Sequence, residues 1–117
     1  MDPLISDLLD INRASPLVNL SNQNLTSHLT RPVFRALQHQ NLITLDLSNN
    51  FIQDDAVKYL AQALPTLKQL KNLNLSGNLL TDKGIEYLAI SFEKQNCLRE
   101  LVELKLDCNP LTSIRFV

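Results

Sequence analysis

The sequence predicts an α/β solenoid, a short horseshoe arc in which parallel β-strands line a concave face and α-helices cover a convex one. Three observations lead to that fold class. The stretch Leu70-Lys-Asn-Leu73-Asn-Leu75-Ser-Gly-Asn78-Leu-Leu80 puts leucine at its first, fourth, sixth and eleventh positions and asparagine at its ninth. That spacing is neither a helix period nor plain alternation. The same template then recurs: Leu42, Leu45, Leu47, Asn50 and Ile52 fill every anchor, as do Leu101, Leu104, Leu106, Asn109 and Leu111. Finally, the segments between copies carry apolar residues at helical spacing, Ala56, Val57, Leu60, Ala61 and Leu64 in one, and Gly84, Ile85, Leu88, Ala89 and Phe92 in the next.

This is the spacing of leucine-rich repeats, in which a strand turns its leucines into the core and an asparagine closes the following turn. A looser first copy keeps Val18, Leu20 and Leu25 but has Ser15 and Gln23 where the first leucine and the asparagine belong. Terminal repeats are commonly irregular. The third apolar anchors Leu20, Leu47, Leu75 and Leu106 lie 27, 28 and 31 residues apart, long enough for a whole helix on each return path.

Taken in order, residues 1–14 read as an N-terminal capping helix, with Asp2 as its cap, Pro3 in its first turn and a stripe of Leu4, Ile5, Leu8 and Leu9. Residues 15–117 hold about 3.5 repeats, the last incomplete. Pro32 fits only a first turn, so the next helix is expected to start near Thr30 and to bury Val33, Phe34 and Leu37. Ser27, Asp54 and Asp82 stand at equivalent places ahead of the three helices, where a short oxygen-bearing side chain caps free backbone N–H groups. Pro65 ends the second of these helices near Leu64, and the third runs to about Lys94. The extra residues of the longest period fall in Gln95 to Glu100. Ser113 stands where another cap is expected, yet no further helix follows before Val117. Leu101, Leu104, Leu106 and Leu111 are therefore expected to be poorly covered, with Phe116 free, which points to a fragment of a longer protein or a partner that completes its end.

Composition excludes several function classes. Eleven basic against twelve acidic residues give a formal charge of −1, so no overall field draws the chain to nucleic acid or an anionic membrane. The start lacks a positive segment followed by an apolar run, and no apolar run reaches spanning length, so the chain reads as intracellular. Cys97 and Cys108 make neither a disulfide framework nor a metal cluster, and His28 and His39 have no ligand-spaced partners. Two glycines cannot build a phosphate loop, and Asp54-Asp55 suits a helix start rather than acid–base work. No cofactor, metal, catalytic residue or small-molecule substrate is indicated.

The positions left for function lie between the leucines of each strand, on the concave face. Three ladders result: Leu17, Thr44, Asn72 and Glu103; Asn19, Asp46, Asn74 and Lys105; Ser21, Ser48, Ser76 and Asp107. The protein-binding candidates are Thr44, Asp46, Ser48, Asn72, Asn74, Ser76, Glu103, Lys105 and Asp107. None is aromatic, which argues against base stacking and removes the commonest hot-spot residues. Asn50, Asn78 and Asn109 form a structural ladder whose amides bond the turns. Loss of Asn78 should thus cost roughly 1–3 kcal/mol, and loss of Asn74, expected to be exposed, under about 0.5 kcal/mol. Four strands span only about 14 Å, too narrow for a standard interface, so a partner must also use the turn side or the last repeat.

The anchors followed by a helix, at Leu42 to Leu64 and Leu70 to Phe92, resemble the ribonuclease-inhibitor-like class of leucine-rich repeats. Leu29-Thr-Arg-Pro-Val-Phe-Arg-Ala-Leu37, Asp82-Lys-Gly84, and Leu98-Arg-Glu-Leu-Val-Glu-Leu104 through Asn109-Pro-Leu111 are similar to the C-terminal repeat region of tonsoku-like DNA repair proteins. That resemblance implies a nuclear scaffold in replication-fork and double-strand-break repair by homologous recombination, docking a large helical repair protein. The family's ankyrin and tetratricopeptide repeats have no counterpart here. The expectation is a non-enzymatic protein-interaction module, nuclear by resemblance, with a cytoplasmic repeat protein as the alternative. A GTPase-activating regulator is the rival, because a family with that activity shares the repeat. It needs an arginine on the turn side of an early repeat, whereas Arg13, Arg31 and Arg35 precede the first strand or lie on a helix.

Overall fold

The computed structural model describes residues 15–95 and 99–111. The expected capping helix, Cys97, Ser113 and Phe116 lie outside the described residues. The elements run β1 (Leu17–Asn19), α1 (Ser27–Leu37), β2 (Thr44–Asp46), α2 (Asp54–Ala63) with a 3₁₀ turn (Leu64–Thr66), β3 (Asn72–Asn74), α3 (Asp82–Gln95) and β4 (Glu103–Lys105). The strands pair in parallel in the order β1-β2-β3-β4, and α2 packs against α1 on one side and α3 on the other. The architecture is a short leucine-rich repeat solenoid with the sheet on one face and helices on the other.

Register follows the sequence template. Val18, Leu45, Leu73 and Leu104 are paired across the four strands, and the first three are buried. With the outer anchors Leu20, Leu47 and Leu75 and the helix residues Val57, Leu60 and Leu88, they form one continuous core. Each fully buried leucine contributes about 1.5–3 kcal/mol. In the last repeat Leu101, Leu104 and Leu106 are only partly buried among the described residues.

Beyond each strand the backbone ladder continues into the turn. Asn22, Asn49 and Gly77 donate their N–H groups to Ser48, Ser76 and Asp107 carbonyls at 3.1, 2.8 and 2.9 Å. These residues, with Cys108, all adopt positive φ, between 56° and 68°. Asparagine and glycine suit that left-handed conformation, whereas cysteine is strained in it. Gly77 meets a second demand, because a Cβ there would stand 2.2 Å from Asn49 Oδ1.

Three expectations need correction. The helices begin one residue earlier relative to their caps than expected: Ser27, Asp54 and Asp82 are first helical residues, while Thr26 and Gln53 occupy the cap positions without a side-chain bond. Asp54 serves the next repeat instead. Its carboxylate accepts the Thr81 N–H at 2.8 Å and the Thr81 hydroxyl, and Thr81 Oγ1 in turn accepts the Lys83 N–H at 3.3 Å. Helix α1 starts at Ser27, not near Thr30, so Pro32 lies inside it. The packing of Val33, Phe34 and Leu37, all buried, outweighs the one missing hydrogen bond. The third correction concerns the buried stripe, which runs through Ala63 and Ser91, while Ala61 is half-buried and Ala89 exposed. At about 100° per residue Ala61 stands roughly 100° from the centre of the stripe set by Ala56, Val57, Leu60, Ala63 and Leu64.

Candidate functional site: the sheet face and its turn edge

The structure aligns the first two ladders in register, Leu17-Thr44-Asn72-Glu103 and Asn19-Asp46-Asn74-Lys105. Not all of these side chains are free. Asp46 Oδ1 accepts the Ser48 N–H at 2.9 Å and the Ser48 hydroxyl at 2.6 Å, and Asn74 Oδ1 accepts the Ser76 N–H at 3.0 Å. Asn19 does the same for Ser21. A short side-chain acceptor bonding the N–H two residues on is the chemistry of a local turn. Ser48 is therefore buried, Asp46 and Asn74 are half-buried, and Ser76 Oγ is buried without a partner among the described residues. Asn74 is not the exposed, expendable residue that its place in the ladder suggested.

The fourth rung departs from this scheme because lysine cannot accept a hydrogen bond. Lys105 instead lies 3.9 Å from Glu103, both about half exposed, and Asp107 is exposed. Such an exposed pair contributes little to stability, so these charges are available to a partner. Next to them, Asn72 Nδ2 donates to Thr44 Oγ1 at 3.2 Å, giving a small neutral patch.

The asparagines form a shared hydrogen-bond ladder. The Leu47 carbonyl accepts from both Asn50 and Asn78, at 2.9 and 3.0 Å, and the Leu75 carbonyl from both Asn78 and Asn109, at 3.0 and 2.9 Å. On the acceptor side Asn50 Oδ1 takes the Gln23 and Leu25 N–H groups, Asn78 Oδ1 that of Ile52 and Asn109 Oδ1 that of Leu80. These amides are built into the turns.

A feature absent from the sequence reading lies on the turn edge. Phe51 and Leu79 are large apolar side chains 48% and 42% exposed, and Pro110 at the equivalent place is exposed too. Each follows a ladder asparagine: Asn50-Phe51, Asn78-Leu79, Asn109-Pro110. The signal was legible as an apolar residue recurring at a position that packing leaves free. It supplies an aromatic contact that the strand ladders lack.

Among the described residues no group of three or more His, Cys, Asp or Glu side chains is placed to hold a metal. No helix among them is long and apolar enough to cross a membrane. His28 and His39 are exposed, and Arg31 and Arg35 are exposed on α1, away from the turn edge.

Comparison with known proteins agrees with this architecture. A family model described as Leucine Rich repeat matches twice, over residues 38–61 and 66–89, the two repeats in which every anchor and the following helix are intact. No curated protein sequence matches the chain. Repeat domains of this kind generally mediate protein–protein interaction. By its repeated anchors, its parallel sheet with helices behind it and this match, the chain is a leucine-rich repeat protein.

Proposed function

We propose that the chain is a non-enzymatic docking module that grips a protein partner with its sheet face and turn edge together. The observation that carries this reading is that one short array exposes both the charged residues Glu103, Lys105 and Asp107 on its last strand and the turn after it, and the apolar residues Phe51, Leu79 and Pro110 on its turns. Binding sites combine an apolar anchor with a polar rim, and here each feature supplies what the other lacks. The turn edge also widens a strand face that alone spans only about 14 Å.

The resemblance to the C-terminal repeat region of tonsoku-like proteins supports a finer proposal, a nuclear scaffold in recombinational repair that docks a large helical partner. The test is affinity capture from nuclear extract by the folded chain, alongside Phe51→Ser/Leu79→Ser and Glu103→Lys/Lys105→Glu variants of unchanged melting temperature. A partner recovered by the parent and lost from both variants supports the interface. Equal capture by all three refutes it, and no helical repair protein among the captured species refutes the finer proposal. A single-turnover GTP hydrolysis assay with small GTPases addresses the rival activity, for which no acceleration is expected.

A further inference from the structure

The helix face holds a feature that the sheet-face reading leaves unused. An open cavity of about 130 Å³ lies between α1 and α2, lined by Arg31, Phe34, Arg35, Gln38, Tyr59 and Gln62. Arg31, Arg35 and Gln38 follow one another at i, i+4 and i+7 on α1, and Tyr59 and Gln62 at i and i+3 on α2, so each set lies on one side of its helix. Phe34 is 1% exposed and makes the floor. The Arg31 guanidinium stands over the Tyr59 ring, 5.2 Å from its centre. That stacking restrains a side chain that is otherwise long and mobile.

The electrostatics of the groove are one-sided. No carboxylate lines it, although acidic residues outnumber basic ones in the chain. The cation over a ring is a repeated feature, since one repeat on Lys58 stands over Tyr87 at the same 5.2 Å. The second fork is not: the places of Arg35 and Gln38 are taken there by Gln62 and Pro65, so two guanidinium groups side by side belong to the α1–α2 groove. Two guanidinium forks beside an aromatic wall, in a lining without a carboxylate, fit an anion carrying about two negative charges and several acceptor oxygens.

We infer that the groove between α1 and α2 binds a phosphorylated side chain of a protein partner. A phosphate monoester carries about −1.5 to −2 at neutral pH and three acceptor oxygens, which two guanidinium groups neutralise; a single carboxylate leaves one of them uncompensated. The Gln38 and Gln62 amides at the rim can donate to and accept from the flanking peptide backbone. A nucleic-acid backbone fits less well, because it requires a basic stripe running across several elements. Here the exposed residues Glu86 and Glu93 on α3 reverse the sign beyond α2. The site is independent of the sheet-face interface.

The test is an NMR titration of the isotope-labelled full chain, reading the arginine Nε–H and backbone signals. The probes are a Gly-Gly-phosphoserine-Gly-Gly peptide, its unphosphorylated and glutamate counterparts, and a thymidine decanucleotide. Saturable shifts at Arg31, Arg35 and Tyr59 are expected with the phosphopeptide alone, with at least tenfold weaker binding in Arg35→Ala. Arg31→Lys keeps the charge over Tyr59 but not the fork, and is expected to weaken binding without disturbing the remaining spectrum. Equal binding of the glutamate peptide, shifts that persist in Arg35→Ala, or arginine-dependent binding of the oligonucleotide without the phosphopeptide would each overturn the inference. So would the lack of any saturable shift.

Discussion

Deleting asparagines from the ladder should be non-additive, in a pattern dictated by which carbonyls they share. Replacing Asn78 by Ala removes the acceptor of the buried Ile52 N–H, but the Leu47 and Leu75 carbonyls each keep one donor, from Asn50 and Asn109. One stranded donor predicts a loss of about 1–3 kcal/mol. Replacing Asn50 alone strands the Gln23 and Leu25 N–H groups and leaves Leu47 its bond from Asn78, a loss of similar or somewhat larger size. In the Asn50→Ala/Asn78→Ala double variant the Leu47 carbonyl loses both of its side-chain donors. The double loss should therefore exceed the sum of the single losses by about 0.5–3 kcal/mol, the coupling typical of residues that share a partner. Asn50 and Asn109 share no carbonyl, since they bond Leu20, Leu47 and Ser48 on one side and Leu75, Leu106 and Asp107 on the other. Their double variant should be additive within about 0.5 kcal/mol. Urea unfolding followed by circular dichroism measures all five variants. An additive Asn50/Asn78 pair would refute the claim that shared carbonyls couple the repeats.

Other outcomes follow from single contacts. Gly84→Ala would normally favour a helix, but its Cβ would stand 2.3 Å from Asp54 Oδ1; it should cost about 1–3 kcal/mol, and become neutral or stabilising in an Asp54→Ala background, as read by the same unfolding curves. Cys108→Gly should raise the melting temperature in a calorimetric scan, because cysteine at φ 58° carries roughly 1–2 kcal/mol of strain that glycine lacks. Asn74→Ala leaves the Ser76 N–H without its acceptor and should cost about 0.5–1.5 kcal/mol, more than an exposed position would. Lys58→Glu removes a cation 5.2 Å from the centre of the Tyr87 ring and should lower stability by up to about 1 kcal/mol, a loss that thermal scans would register; no change would mean the contact is inert.

The sequence by itself determined the repeat, the strand register and the core. Leucines at fixed offsets can all be buried in only one way, with Val18, Leu45, Leu73 and Leu104 side by side, and a one-residue slip would turn them to the other face. The asparagine ladder was legible for the same reason, as a polar residue recurring where only a buried turn has use for it. What the tertiary structure decided lies between repeats, where residues some 27 to 31 apart in sequence become neighbours. The Asp54 to Thr81 bond joins two helix starts, the ring of Tyr59 fixes Arg31 from the neighbouring helix, and Phe51, Leu79 and Pro110 line one edge. A local pattern of spacings records which side chains face inward. It does not record what an outward or half-buried side chain meets across the gap, because that depends on how far one repeat rotates against the next.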